Sequence, residues 1–162
     1  MKTVRIGQST DIHQLVQGRP LILGGVTIDY AKGCLAHSDG DVLLHAIAEA
    51  ILGACGLKDL GTHFPDTDNT YKGVSSILIL KEVNKKMHKH GYQIVNIDSL
   101  IIIEKPKLAP YLDDMVKMIA TTLEVEKSKI NVKATTSEKL GYIGRNEGVM
   151  AQAIVLVKEI EQ

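Results

Sequence analysis

The stretch VMAQAIVLV, residues 149–157, constrains this chain more than any other. Successive side chains of a strand point to opposite faces. Here Val149, Ala151, Ala153 and Val155 form one set, and Met150, Ile154 and Leu156 the other. Both sets are apolar, so both faces require cover. Helices of the same chain cover one face; the second predicts packing against another copy, hence an oligomer.

The remaining segments supply the sheet and its helices. VRIGQSTDIHQL (4–15) reads as a strand, and GRPLILGGVTIDY as a turn with short strands. A helix is expected over about 39–55, with Ser38 and Asp41 spaced as in a capping box and Leu43, Leu44, Ile47, Ile51 and Ala54 on its apolar side. LGTHFPDTDNTYKG reads as a loop, followed by a helix over about 74–89 with Leu80, Val83 and Met87 at helical spacing. YQIVNIDSLIII ends in an unbroken apolar run, which predicts burial on both faces. Pro106 and Pro110 bracket the start of a third helix with Leu112, Met115, Val116, Ile119 and Leu123 inward. KINVKATT is a further strand, joined to the last by the glycine-punctuated SEKLGYIGRNEG. This order predicts an α+β fold, a mixed sheet with helices on one face.

The 162 residues suggest one domain spanning 1–162, and with aromatics at 4% and no Trp its core must be aliphatic. Nineteen basic and 19 acidic residues give zero net charge, which argues against a broad nucleic-acid surface but not against a local phosphate site. Cys34 and Cys55 lack any zinc-ribbon spacing and read as incidental thiols of a reducing compartment. Lys2, Arg5 and Gln8 break the first apolar residues, and no apolar run approaches a membrane span. The expectation is a soluble cytoplasmic protein without a nucleic-acid or membrane partner.

Several clusters bear chemistry. Asp11 and His13 share a strand face, and His45 lies on the polar stripe of the first helix between Asp41 and Glu49, either of which could orient its ring. Two His and one carboxylate leave a zinc ion with an open position; the other reading is a strand-end cap and a surface histidine. KATTSEKLGYIGR (133–145) gathers Lys133, Thr135, Thr136, Ser137, Lys139 and Arg145 around Glu138. Hydroxyls, N–H groups and cations suit phosphate, and a carboxylate among them suits a divalent ion shared with a diphosphate; a polar hairpin is the other reading. His37 and Ser38 precede a helix N-terminus that favours an anion or simply caps itself. Asp66 and Asp68 suit a ligand hydroxyl or a turn cap, and His63, His88 and His90 read as surface residues.

Together, DIH, HSDGDVLLHA, LKDLGTHFPDTD, EKPKLAP and NVKATTSEKLGYIGR resemble, in order and spacing, the 2-C-methyl-D-erythritol 2,4-cyclodiphosphate synthase family over essentially the whole chain. The resemblance implies an intramolecular phosphoryl transfer that releases CMP, and a homotrimer with sites between subunits. It implies zinc on Asp11, His13 and His45, and Mg²⁺ or Mn²⁺ on Glu138. Thr136 would donate to the transferring phosphate, and His37 with Ser38 would meet the 2-phosphate side. The cytidine diphosphate substrate would also touch Ile12, Asp59 (a ribose hydroxyl), Leu60, Gly61 and the segment Phe64, Pro65, Asp66, Thr67, Asp68 on the methylerythritol side. Ile103, Glu104, Lys105, Pro106, Lys107, Leu108 and Ala109 would close around cytosine, with Thr135, Ser137, Tyr142 and Arg145 on the phosphate side. Two departures stand out: Ser9-Thr10 where the family usually has Gly-Phe, and Glu49 where an aspartate is usual. A different zinc hydrolase or a non-catalytic trimeric nucleotide-binding module is the alternative; a deaminase would show a CxxC ligand pair, absent here.

Overall fold

The computed structural model describes residues 3–65 and 67–161. Its centre is a five-stranded sheet in the order β4-β1-β7-β5-β6, built from β1 (Val4–Gln17), β4 (Lys32–Cys34), β5 (Tyr92–Ile102), β6 (Ile130–Thr135) and β7 (Gly148–Glu159). β7 runs antiparallel to β1 and β5, while β5 and β6 are parallel. A parallel pair needs a crossover, and the helix α4 (Leu112–Leu123) provides it. The fold is α+β with a mixed sheet, as the sequence predicts.

The alternation in β7 is realised. Val149, Ala151, Ala153, Val155 and Val157 are almost fully buried, against α1 (Val42–Cys55). α1 itself is apolar nearly all round, as befits a helix enclosed by the sheet and by α3 (Ser76–Lys89). Its approach to β1 is close: a Cβ at Gly7 would lie 1.8 Å from the Ala50 carbonyl oxygen, so only glycine fits. The opposite sheet face has no helix over it. Ile6, Ile12 and Ile154 there are 69%, 50% and 48% exposed, and Leu100 and Ile102 remain half-buried. The apolar run of β5 is therefore enclosed on one face only within a single chain.

Local signals explain most boundaries, with corrections. α1 begins at Val42 rather than near 39, and its N-cap is Asp41, not Ser38. Ser75 caps α3, which starts at Ser76 rather than 74. The loop predicted between these helices contains a short helix, α2 (Leu60–His63), capped by Asp59. A second short helix, α5 (Gly141–Gly144), interrupts the loop before β7. Strands β2 (Leu21–Leu23) and β3 (Val26–Ile28) form a hairpin whose two-residue turn, Gly24-Gly25, has φ of 60° and 74°. Such turns need left-handed backbone at both positions.

Asp41 ties that hairpin to α1. Its fully buried carboxylate accepts the N–H of Leu44 at 3.0 Å, of Gly24 at 2.9 Å and of Gly25 at 2.7 Å. Burial pushes the carboxyl up to about 6, while these three donors pull it down. Both cysteines are free and buried, and no helix among the described residues is long and apolar enough to cross a membrane. Asp41→Ala would strand three donors, two of them without another route to water. The expected cost is about 3 kcal/mol, read as a lower urea midpoint at unchanged slope; a shift within error would show that the hairpin relaxes to hydrate its turn.

Candidate active site

Asp11 and His13 sit two apart on β1 and face α1, because Asp11 pairs with Ala151 and His13 with Val149 in the β7 ladder. His45, one turn into α1, meets them. One ligand atom from each of the three lies within 4.8 Å of the others. The His45 Nδ1 is 3.2 Å from Asp11 Oδ2, and the two imidazoles meet edge to face at 5.7 Å between centroids. The side chains keep 15–24% of their surface, enough for a ligand to reach them.

The hydrogen bonds fix where lone pairs point. His13 Nδ1 lies 2.8 Å from the Ile12 carbonyl, which only accepts, so this nitrogen carries the proton and Nε2 is left bare. Burial alone would lower the His45 pKa, but the bond and charge of Asp11, with Asp41 and Asp39 behind it, outweigh burial and raise it above the ordinary histidine value. A cation, proton or metal, is favoured between His45 and Asp11. Two imidazole nitrogens and a carboxylate oxygen converging on one point fit a divalent metal.

Neither carboxylate expected to orient His45 does so. Asp41 is committed to capping, and Glu49 accepts from Ser9 Oγ at 3.0 Å and from Leu60 N at 3.3 Å. The two departures from the family pattern, Ser9 and Glu49, are thus in contact, and through Leu60 they hold the start of α2. The partners of His45 are instead Ser76, whose Oγ is 2.8 Å from Nε2, and more distantly Ser38 at 3.4 Å. No spacing rule links residues 31 apart, so Ser76 was not legible before folding.

A cleft of about 490 Å³ opens over the cluster, lined by His13, His45, Ala36, His37, Ser38, Leu60, Gly61, Phe64, Pro65 and Ile79. The structure therefore unites the DxH strand, the HSDGD loop and the α2 segment. Arg19 holds the loop in place, donating to the carbonyls of Ala36 at 3.0 Å and Ser38 at 3.2 Å. Asp59 and Asp68 are exposed and cap turns, and the resulting hydrogen bonds lower both pKa values. Thr67 is exposed nearby, and Asp66 lies outside the described residues. Ile12 turns its side chain to the far face of the sheet. His63, expected to be an unpartnered surface residue, bonds the Leu57 carbonyl at 2.7 Å, and His90 bonds that of Lys86 at 2.8 Å.

A second, smaller cleft of about 220 Å³ lies where β5 and β6 end. Ile103, Glu104, Pro106, Lys107, Leu108, Ala109, Leu112, Ala134, Thr135 and Thr136 line it. Glu104 clamps the adjoining turn, accepting from Ser137 N and Lys139 N, each at 3.4 Å. Thr136 Oγ1 accepts the Glu138 N–H at 3.2 Å, which leaves the hydroxyl proton free to be donated. Glu138 is exposed with φ of 54°, a left-handed conformation that swings its side chain off the strand line. Lys105 is exposed beside this cleft. Lys133, grouped with the phosphate residues by sequence, instead pairs with Asp98 at 2.8 Å on the bare sheet face. Tyr142 and Arg145 line neither cleft. The Tyr142 hydroxyl is buried without a hydrogen-bond partner among the described residues, and Arg145 pairs with Glu147 at 2.9 Å. Both clefts open at the same end of the sheet, since Ile12 and Ile102 flank Met150 from either side.

Residues 4–158 match the YgbB family. A 2-C-methyl-D-erythritol 2,4-cyclodiphosphate synthase from Chloroherpeton thalassium is 57% identical over 157 residues, 97% of this chain and 100% of its own length. The bifunctional IspDF of Campylobacter jejuni superposes with a TM-score of 0.96 at 42% identity, covering 99% of this chain and 44% of that one. IspF of Plasmodium falciparum in complex with CDP gives a TM-score of 0.86 at 35% identity, with 99% of each chain covered. With this identity spread over nearly its full length, the chain belongs to the YgbB family, the family of 2-C-methyl-D-erythritol 2,4-cyclodiphosphate synthases.

Proposed function

We propose that the two clefts are the halves of one active site that converts 4-diphosphocytidyl-2-C-methyl-D-erythritol 2-phosphate to 2-C-methyl-D-erythritol 2,4-cyclodiphosphate and CMP. The carrying observation is the Asp11, His13 and His45 cluster, whose two histidines line a cleft, in a chain 57% identical to a synthase of that name. The protein is a CMP-releasing lyase of the non-mevalonate isoprenoid pathway. An oxygen of the 2-phosphate attacks the β-phosphorus of the diphosphate, the bond from that phosphorus to the bridging oxygen breaks, and CMP leaves with the electron pair. No protein nucleophile is needed, so catalysis is positioning and charge neutralisation.

Asp11, His13 and His45 would hold zinc, which when bound supplies a Lewis acid for the β-phosphate. Glu138 would hold Mg²⁺ or Mn²⁺ against the diphosphate, a role its exposed, outward carboxylate suits. His37 and Ser38, at the cleft rim, orient the 2-phosphate, and the Thr136 hydroxyl donates to the phosphate under attack. The segment Phe64 to Asp68, whose Asp66 lies outside the described residues, serves the methylerythritol side, Leu60 and Gly61 border the same cleft, and Asp59 reaches a ribose hydroxyl. The pocket from Ile103 to Ala109 takes cytosine; the CDP complex of the Plasmodium falciparum relative is consistent with a cytidine diphosphate substrate.

The assembly is a homotrimer. The bare sheet face, with Ile6, Ile12 and Ile154 exposed, is the surface that packs around the threefold axis, and a neighbouring copy brings the cytosine cleft beside the metal cleft. Tyr142 and Arg145, which line neither cleft of their own chain, complete the phosphate-side surroundings at that junction. The buried thiols of Cys34 and Cys55 suit a cytoplasmic setting.

Protein purified without added metal is expected to carry about one zinc per chain. Because the His45 pKa is raised and only the neutral ring binds metal, zinc affinity should fall as pH drops through a range above that of ordinary histidine. A chelator competition at pH 8 and pH 6 reads this; equal affinity at both would contradict it. Sedimentation equilibrium should return three times 17.7 kDa, and a monomer at micromolar concentration would remove the shared site. Thr136→Val keeps the β-branched shape and deletes the donor, so CMP release should slow by on the order of 10²–10³ with an unchanged thermal melt. Normal turnover by the variant would return Thr136 to the scaffold.

A further inference from the structure

The cluster has a buried relay behind it. Ser76, the first residue of α3, is 1% exposed. Its Oγ sits between His45 Nε2, at 2.8 Å, and the carboxylate of Asp39, to which it donates a hydrogen bond. The other Asp39 oxygen accepts the Ser76 backbone N–H at 2.9 Å. Both ends of Ser76 are therefore held by one carboxylate, and the hydroxyl has no rotational freedom left.

The direction of the chain of bonds follows from what each group can do. A carboxylate only accepts, so the Ser76 proton goes to Asp39. The Ser76 oxygen then presents a lone pair to His45, and Nε2 must supply the proton. The second ring nitrogen, Nδ1, is the one facing Asp11 Oδ2 at 3.2 Å. In the neutral ring it has no proton to give, so a lone pair and a carboxylate oxygen face one another. This pairing is unfavourable with nothing between them and favourable around a cation.

We infer that Ser76 and Asp39 are positioning residues that hold the neutral His45 ring in its Nε2–H form, so that Nδ1 is bare and aimed at the point shared with Asp11 and His13. The inference rests on the metal reading for its purpose, but the tautomer is a property of the protein alone. Without the relay, Asp11 is the strongest acceptor near the ring, and the proton should move to Nδ1. A divalent ion must then displace it. Partners of this kind typically change metal affinity by roughly 10–100-fold.

The test uses the full chain with Ser76→Ala and Ser76→Thr, the second restoring a hydroxyl. Two-bond ¹H–¹⁵N correlations of the metal-free protein, at a pH where His45 is neutral, report which nitrogen is protonated. Zinc affinity is measured separately by chelator competition. The expected result is Nε2–H in the wild type and Ser76→Thr, Nδ1–H in Ser76→Ala, and zinc binding weakened by roughly 10–100-fold in Ser76→Ala alone. A wild-type ring protonated on Nδ1, or a Ser76→Ala protein with wild-type tautomer and zinc affinity, would overturn the relay. The expected tautomers with no zinc bound by any variant would support the relay and sink the metal reading instead.

Discussion

The site exists because β1 pairs with β7 in one register. With Asp11 opposite Ala151 and His13 opposite Val149, both side chains point to the face that α1 covers. Slipping the ladder by a single residue would turn both onto the bare face and put Ile12 where Asp11 and His13 now meet His45. The register is held by burial: the odd-numbered side chains of β7 are sealed against α1, and exchanging them for Met150, Gln152 and Ile154 would put an amide into the core. Gly7 locks the distance as well as the face, since any side chain there would collide with the α1 backbone.

Around that ladder, polar contacts serve position more than stability. Asp41 joins the hairpin to α1, Asp39 joins the HSDGD loop to α3, and Glu49 joins β1 to α2. Each is a carboxylate with backbone or hydroxyl donors around it. Of the three only Asp39, through Ser76, reaches His45. Its ring is gripped from the Nε2 side by Ser76 while its other nitrogen is left for chemistry. Side chains held in this way need little reorganisation to take up a charged group.

The sheet has two surfaces with different tasks. One carries the aliphatic core that the scarcity of aromatics requires. The other carries no helix and exposes Ile6, Ile12 and Ile154 beside the Lys133–Asp98 ion pair, next to the end of the sheet where both clefts open.

Much of this was legible in the sequence. Period-two alternation exposed the two-faced β7, helical spacing located α1, α3 and α4, and DxH with a distant helical histidine supplied the cluster, because these signals are local or rest on residue chemistry. The starts of α1 and α3 were misplaced by two or three residues, since a cap is decided by where a side chain finds its N–H partners: Asp41 won over Ser38 through Gly24 and Gly25, which lie in another element. Glu49 and Asp41 were natural candidates to orient His45 from helical spacing, and both were taken by other partners. The sequence by itself determined which residue types could bind metal and phosphate and which face of each strand they share. Only the tertiary structure decided which of them meet, that Ser76 and Asp39 stand behind His45, and that Lys133 pairs with Asp98, because those contacts depend on chain crossings that no spacing along the sequence encodes.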